Sequence, residues 1–167
     1  MMVALRIIHI GGGVFWVGTI LFLAFYLAPA IARAGPDGGR VMQELQKGRI
    51  MHVLPVVALL TIVSGLWLFW IMSAGLNPGY FRTGYGMSLT TGGVATIVAY
   101  VIGLMVMRPA QLRMGALAPR MADAPEEERA RLGAELARLR ARSGRASKVI
   151  AWLLILAVVT MAVARYV

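Results

Sequence analysis

The chain has 167 residues, 59% hydrophobic and only 14% charged, with a net charge of +10 and no cysteine. A mean hydropathy of +0.75 excludes an ordinary soluble domain, and the lack of cysteine excludes disulfides, thiolate metal sites and cysteine nucleophiles. A strongly basic chain can signal nucleic acid, but the most basic segment, residues 108–148, contains no aromatic residue for bases to stack on, so nucleic acid is not an expected partner and the lipid bilayer is.

A membrane span takes about 20 apolar residues, and four segments meet or approach that length. The first runs over residues 3–32. It is too long for the apolar region of a signal peptide and lacks a small-residue cleavage site, so it is expected to be a retained helix. Gly35-Pro36-Asp37-Gly38-Gly39 then reads as a turn, with a short interfacial helical turn over residues 40–46. Helix two covers 50–72. Asn77-Pro78-Gly79 makes the next turn, and Tyr80, Phe81 and Tyr85 suit the headgroup level. Helix three covers 88–107. Beyond it, Pro125 followed by Glu126, Glu127 and Glu128 signals a helix start, and Leu132, Leu136 and Leu139 recur at helical spacing. The expectation is an amphipathic cytoplasmic helix over 125–143, broken at Ser143-Gly144, acting as a lid or interfacial anchor or, alternatively, docking a partner, and followed by helix four over 148–166. The predicted fold is therefore all-α: one integral membrane domain over 1–167, a four-transmembrane-helix bundle with an amphipathic cytoplasmic helix between helices three and four.

Charge orients this bundle. Of the 17 basic residues, only Arg6, Arg82 and Arg165 lie on one side, and the other 14 lie in loops one and three. The positive-inside rule places those loops in the cytoplasm. The chain is expected to be a multi-pass protein of the inner (plasma) membrane with both termini outside.

The spans hold few groups that could do chemistry. They contain no Asp or Glu, which excludes a carboxylate relay or cage within them, and no Gly-Lys-Ser/Thr phosphate loop occurs anywhere. Two histidines remain, His9 in helix one and His52 near the start of helix two. An ionisable side chain in a span is a functional-site hypothesis, because burying it there is unfavourable. Gly11, Gly12 and Gly13 follow His9 directly. Such small residues serve close helix packing, or leave a surface on which a planar cofactor could lie. Met105 and Met107, near the level of Met51 and His52, offer soft ligands for Cu(I), although two residues apart on a helix they point about 200° from each other.

The run LRIIHIGGGVFWVG…FYLAP, with His9, Trp16, Gly18 and Pro29, resembles the first helix of CopD-like and HemJ-like four-helix membrane proteins. Pro55 and Ser64-Gly65-Leu66 in helix two, and the ending MAVARYV, are similar as well. HemJ-type proteins bind haem b and oxidise protoporphyrinogen, and CopD-like proteins are linked to copper handling. The resemblance implies haem b on His9 as axial ligand, with Gly12, Gly13 and Trp16 beside the ring. The start of helix three, GYGMSLTTGG, carries neither the Lys nor the His that HemJ-type proteins use there, so their oxidase activity is not carried over. On the expected topology, His9 lies in the outer half of helix one and His52 near the inner end of helix two, about 25 Å apart along the membrane normal. They cannot bracket one iron. A haem on His9 would be five-coordinate or take a methionine such as Met72, Met87 or Met161, and His52 would be a separate metal ligand or a structural group. Two functions stand side by side: a haem-binding redox protein with a membrane or electron-transfer partner, and a non-catalytic membrane subunit or small transporter-like protein, copper handling included, with structural histidines.

Overall fold

The computed structural model describes the backbone of residues 1–167 and every side chain except those of Pro36, Gln43, Gln46, Met51, Ala118, Ala122 and Asp123. Its regular structure, among these residues, is helical. Helix α1 (Met2–Phe22) continues through a π-wound turn, Leu23–Leu27, into α2 (Ala28–Arg33). A sharp turn at Ala34 leads to α3 (Gly35–Lys47), and α4 (Ile50–Met72) runs back. Helix α5 (Gly84–Ile102) continues through a second π-wound turn, Gly103–Met107, into α6 (Arg108–Asp123), and α7 (Glu126–Val163) returns over the full length. Four of these rods are long and apolar enough to cross a membrane, the architecture of a membrane protein.

Both π-wound turns have the same cause. Pro29 and Pro109 each lie two residues beyond the turn. A proline inside a helix lacks the N–H for the carbonyl four residues back and its ring collides with that carbonyl. Here Ala28 donates instead to the Leu23 carbonyl and Arg108 to the Gly103 carbonyl, five residues back. The wider turn makes room for the ring without ending the helix.

The rods pair as antiparallel hairpins, α1 along α4 and α5 along α7. They meet around Trp16, Leu54, Ala58, Ala99, Ile150 and Leu154, all buried. Trp16 stands edge-on to Tyr100 with ring centroids 6.3 Å apart. The outward surfaces of the rods are apolar and open: Val14, Val63, Trp67, Val94, Met105 and Trp152 are all exposed, as expected of faces whose solvent is lipid.

The segment between helices three and four departs from expectation. Helix three does not end near residue 107 but continues to Asp123. Nor is the amphipathic helix over 125–143 separate from helix four: α7 runs unbroken for 38 residues through Ser143-Gly144. At about 1.5 Å per residue it is roughly 57 Å long, nearly twice an apolar bilayer core of about 30 Å. The reason is pairing. Met107, Ala110, Met114, Leu117, Met121 and Ala124 recur at alternating spacings of three and four, and so do Leu132, Leu136, Leu139, Ser143, Ala146 and Ile150. This is the heptad seam of a coiled coil. The two stripes close on each other in a second apolar cluster, and Ser143 Oγ donates to Met107 Sδ at 3.3 Å. A helix held by its seam has no cause to break at one glycine, which weakens it by only about 1 kcal/mol. At the tip, Arg120 meets Glu128 at 3.5 Å and Arg129 bonds the Ala124 carbonyl.

Loop one differs in a smaller way. The segment Gly35–Gly39, expected to be a turn, is the first part of α3, and the turn itself is Ala34 with Gly35 at φ +59°. Pro36 and Asp37 fall in the first helical turn, where the missing N–H and the negative charge are both favourable. The loop between α4 and α5 turns through Ala74, Gly75 and Leu76, all at positive φ, earlier than the expected Asn77-Pro78-Gly79. Asn77 Oδ1 then accepts from the Gly79 N–H at 2.8 Å. Thr83 caps α5 by accepting from the Gly86 N–H.

Two outcomes are expected. Leu139→Ala should destabilise the α6–α7 hairpin by about 2–5 kcal/mol, seen as accelerated hydrogen exchange over residues 110–142 with the α1–α4 pair unchanged. Tyr80, packed against Phe69, Phe81 and Tyr85, has a buried hydroxyl without a partner. Burial, and secondarily Tyr85, push its phenol above the ordinary value of 10.0. The folded state therefore keeps this proton where the unfolded chain loses it, so the contribution is complete below about pH 10 and is lost as pH rises through the folded value. In an ultraviolet titration Tyr80→Phe should remove a late-ionising tyrosine step.

Candidate functional site

The histidine of helix one sits on the seam between α1 and α4. Its Nδ1 lies 2.8 Å from the Thr61 carbonyl oxygen. A carbonyl only accepts, so Nδ1 carries a proton and donates, and Nε2 is left to meet any further partner. Among the described residues, this is the side-chain hydrogen bond that joins α1 to α4. The hydroxyls of Thr19, Thr61, Ser64, Thr90, Thr91, Thr96 and Thr160 all bond carbonyls on their own helices.

Glycines make the close approach. The His9 ring covers Gly65, where a Cβ would stand 2.6 Å from Cε1 and 2.8 Å from Nδ1. Gly12 is closed off in the reciprocal way: a Cβ there would collide with Thr61 Oγ1. Thr61 is β-branched and only 4% exposed, and its hydroxyl is bonded to the Val57 carbonyl at 2.8 Å, so it cannot readily turn aside. Gly13 lies over the Thr61 methyl group, with space for a Cβ at 3.8 Å. The face His9–Gly12–Gly13 of α1, at i, i+3 and i+4, thus meets the face Thr61–Ser64–Gly65 of α4, with the same spacing.

The expected site residues are consequently not gathered around one ligand. Gly12 and Gly13, expected to offer a surface to a planar ring, are covered by Thr61. Gly11, with nothing within 4 Å, and Gly18, likewise open, face away. Trp16 is 5% exposed, inside the core one turn below. His52 is exposed on α4 in an open groove with Arg49, Val53, Val56 and Val57. It lies nine residues before Thr61 on the same helix, a rise of about 14 Å, so it shares no ligand with His9. Of the soft ligands, Met105 is 71% exposed while Met107 faces Ser143. They look in different directions, and the Met51 side chain lies outside the described residues. Met161 packs against the bare face of Gly92.

Thr61 is the residue that sequence reasoning missed. Its signal was present, a small polar run Thr61-x-x-Ser64-Gly65 mirroring His9-x-x-Gly12-Gly13, but only the antiparallel register makes the two runs face each other. What the arrangement offers chemically is an imidazole whose Nδ1–H is fixed by a backbone carbonyl, with Nε2 unpartnered among the described residues. Histidines that ligate metals are commonly oriented in this way. An interhelical clamp needs the same bond and no ligand.

No family model, no curated protein and no solved structure matches this chain.

Steric fit and hydrogen bonding differ in weight at this seam. Overpacking is unfavourable by about 1–3 kcal/mol, whereas a hydrogen bond between membrane helices contributes about 0.6 kcal/mol on average. Gly12→Ala and Gly65→Ala should each destabilise the detergent-solubilised protein by about 1–3 kcal/mol, measured by denaturant unfolding. Gly11→Ala, facing open space, should be neutral or stabilising by up to about 1 kcal/mol.

Proposed function

We propose that this chain is a four-helix bundle of the inner (plasma) membrane, with both termini outside, and that it serves as a non-catalytic subunit whose cytoplasmic hairpin engages a partner protein. The observation that carries this reading is the hairpin of α6 with the first half of α7. Its rods leave the apolar region yet remain paired for about 16 residues each, roughly 24 Å, a length that anchoring alone does not need. Its outer surface is basic, with Arg131, Arg138, Arg140, Arg142 and Arg145 all exposed, and suits an acidic partner surface. His9 is then the clamp between α1 and α4.

The orientation is testable because the chain has no cysteine of its own. In intact cells a membrane-impermeant thiol reagent should label Gly79→Cys and leave Ala130→Cys unlabelled until the membrane is opened. Labelling in the reverse pattern would refute the topology. For the subunit role, residues 112–138 can be replaced by a short Gly-Ser linker. The shortened chain should still insert and melt as a folded protein. On native gels of mildly solubilised membranes it should run alone, where the intact chain runs in a larger complex. Identical migration of the two would remove the hairpin from any assembly.

A second reading is favoured by the unpartnered Nε2 of His9: haem b held through that atom, as the resemblance to HemJ-like proteins implies. Such a ring would lie away from Gly12 and Gly13, which Thr61 covers, and His52 would not be its second ligand. When bound, the haem would supply one-electron redox chemistry. His9 would hold the iron, and the Thr61 carbonyl would fix the imidazole tautomer. The purified protein, oxidised and then reduced, should on this reading show a Soret band and sharp reduced bands at near-stoichiometric haem, lost in His9→Ala. A featureless spectrum after expression with ample haem would leave His9 as a clamp.

A further inference from the structure

We infer that the elbow between α3 and α4 is a binding site for one anionic diacyl glycerophospholipid, its phosphate held by Arg49, His52 and Arg40 and an acyl chain lying on Val53, Val56 and Val57. The inference stands on the bilayer setting of the apolar rods and on no particular role for His9 or the hairpin.

Two open grooves adjoin here and share Arg49. One, of about 600 Å³, is walled by the second half of α3 and the entry to α4, including Arg40, Val41, Glu44, Leu45 and Arg49. The other, of about 370 Å³, follows α4 into the apolar region past His52, Val53, Val56 and Val57. Gly48, extended at φ −71° and ψ 161°, makes the bend that sets the two walls at an angle.

The chemistry of the walls is divided along the rod. Arg49, Val53 and Val57 succeed one another at i, i+4 and i+8, and His52 and Val56 form the adjacent i, i+4 ridge, so two basic side chains stand directly over an apolar lane. From Arg49 to Val57 that lane descends about 12 Å, a large part of one leaflet. Val53 and Val56 are 40% and 57% exposed, as side chains that contact lipid must be.

Charge selects the occupant. The acids near the elbow are engaged: Glu44 bonds Lys47 at 2.7 Å and Asp37 pairs with Arg40 at 3.6 Å. Both pairs are highly exposed, so Arg40 exchanges readily for a stronger anion, while Lys47 stands beside Glu44 at the groove wall. The first turn of α4 carries no acid. Among the described residues, Arg49 has no ion pair and His52 no side-chain hydrogen bond. An unpaired guanidinium at the edge of the apolar region, above an open lane of valines, complements a phosphodiester with attached chains. It does not complement a zwitterionic headgroup, whose cationic end meets the same arginines. The site differs from the diffuse attraction of basic loops for anionic membranes because its cations come from two helices meeting around one groove.

The test is native mass spectrometry of the full-length protein in detergent, titrated with phosphatidylglycerol or phosphatidylcholine of matched chains. The wild type should retain one phosphatidylglycerol with about tenfold preference, and Arg49→Gln/His52→Gln should bring that preference close to one. Arg138→Gln/Arg142→Gln on the hairpin should leave it intact, and Arg49→Lys should largely restore what Arg49→Gln alone removes. Absence of preference in the wild type overturns the site, a result that needs no variant to fold. So does equal loss in the hairpin variant, which would mean net charge alone, and so does full displacement by millimolar inorganic phosphate, which would mean an ion site without a lipid lane.

Discussion

How closely α1 can approach α4 governs the apolar half of this molecule, and that distance is set at two positions without side chains. In lipid the hydrophobic effect does not press one apolar helix against another, because lipid tails are as apolar as leucine. Association depends on van der Waals contact and on a few polar bonds. Gly65 gives the His9 ring a place to lie, and Gly12 lets Thr61 come up to the α1 backbone. Once those surfaces meet, the Thr61 carbonyl lies within 2.8 Å of Nδ1. The hydrogen bond is then a consequence of the packing more than its cause. Gly92 plays the same part between α5 and α7, where Met161 and Thr160 fill its bare face.

The α5–α7 pair continues under a different physics. Within the rods, small residues mark the buried faces: Gly92, Ala95 and Ala99 of α5 are buried, as are Ala151 and Ala157 of α7. Past the second π-wound turn the same two helices present leucine, methionine and alanine in a heptad seam with charged residues outside it. That is the pattern by which water drives helices together. One continuous helix therefore serves two solvents, changing its packing rule near Lys148 while its backbone hydrogen bonds run on unchanged. Pro29 and Pro109 mark the corresponding level on the other rods, where the π-wound turns allow the chain to leave the apolar region without breaking.

The residues most open to chemistry follow from these constraints. His9 is held in one orientation because its ring is trapped against Gly65 beneath a carbonyl. His52 is exposed because α4 begins at an elbow, with no helix of this chain packed over that side. The two histidines thus lie at different levels along α4. Their separation of about 14 Å in rise along α4 is shorter than the topology alone suggested, because His9 meets α4 at Thr61, nearer the middle of that helix than its C-terminal end.

Much of this could be read from the residues in order. Four long apolar runs, the absence of acids within them and the concentration of arginine in two loops dictate four helices able to cross a membrane and the level at which the polar segments lie. Backbone satisfaction and the unfavourable burial of charge are properties of each segment by itself. Leu132, Leu136 and Leu139 equally announced an amphipathic helix, and helix two was legible to its ends. Pairing was not legible in this way. Whether a glycine is a bare surface or a contact depends on what stands opposite, so Gly12 and Gly11 look alike along the chain and differ only once Thr61 is in place. Whether Ser143-Gly144 breaks a helix depends on whether a partner holds it through that point, and Met107 and Ala110 do so from far away in the chain. Local residues determined which segments are helical and which solvent each one tolerates. The antiparallel register alone decided which faces touch, because a contact between helices belongs to neither sequence by itself.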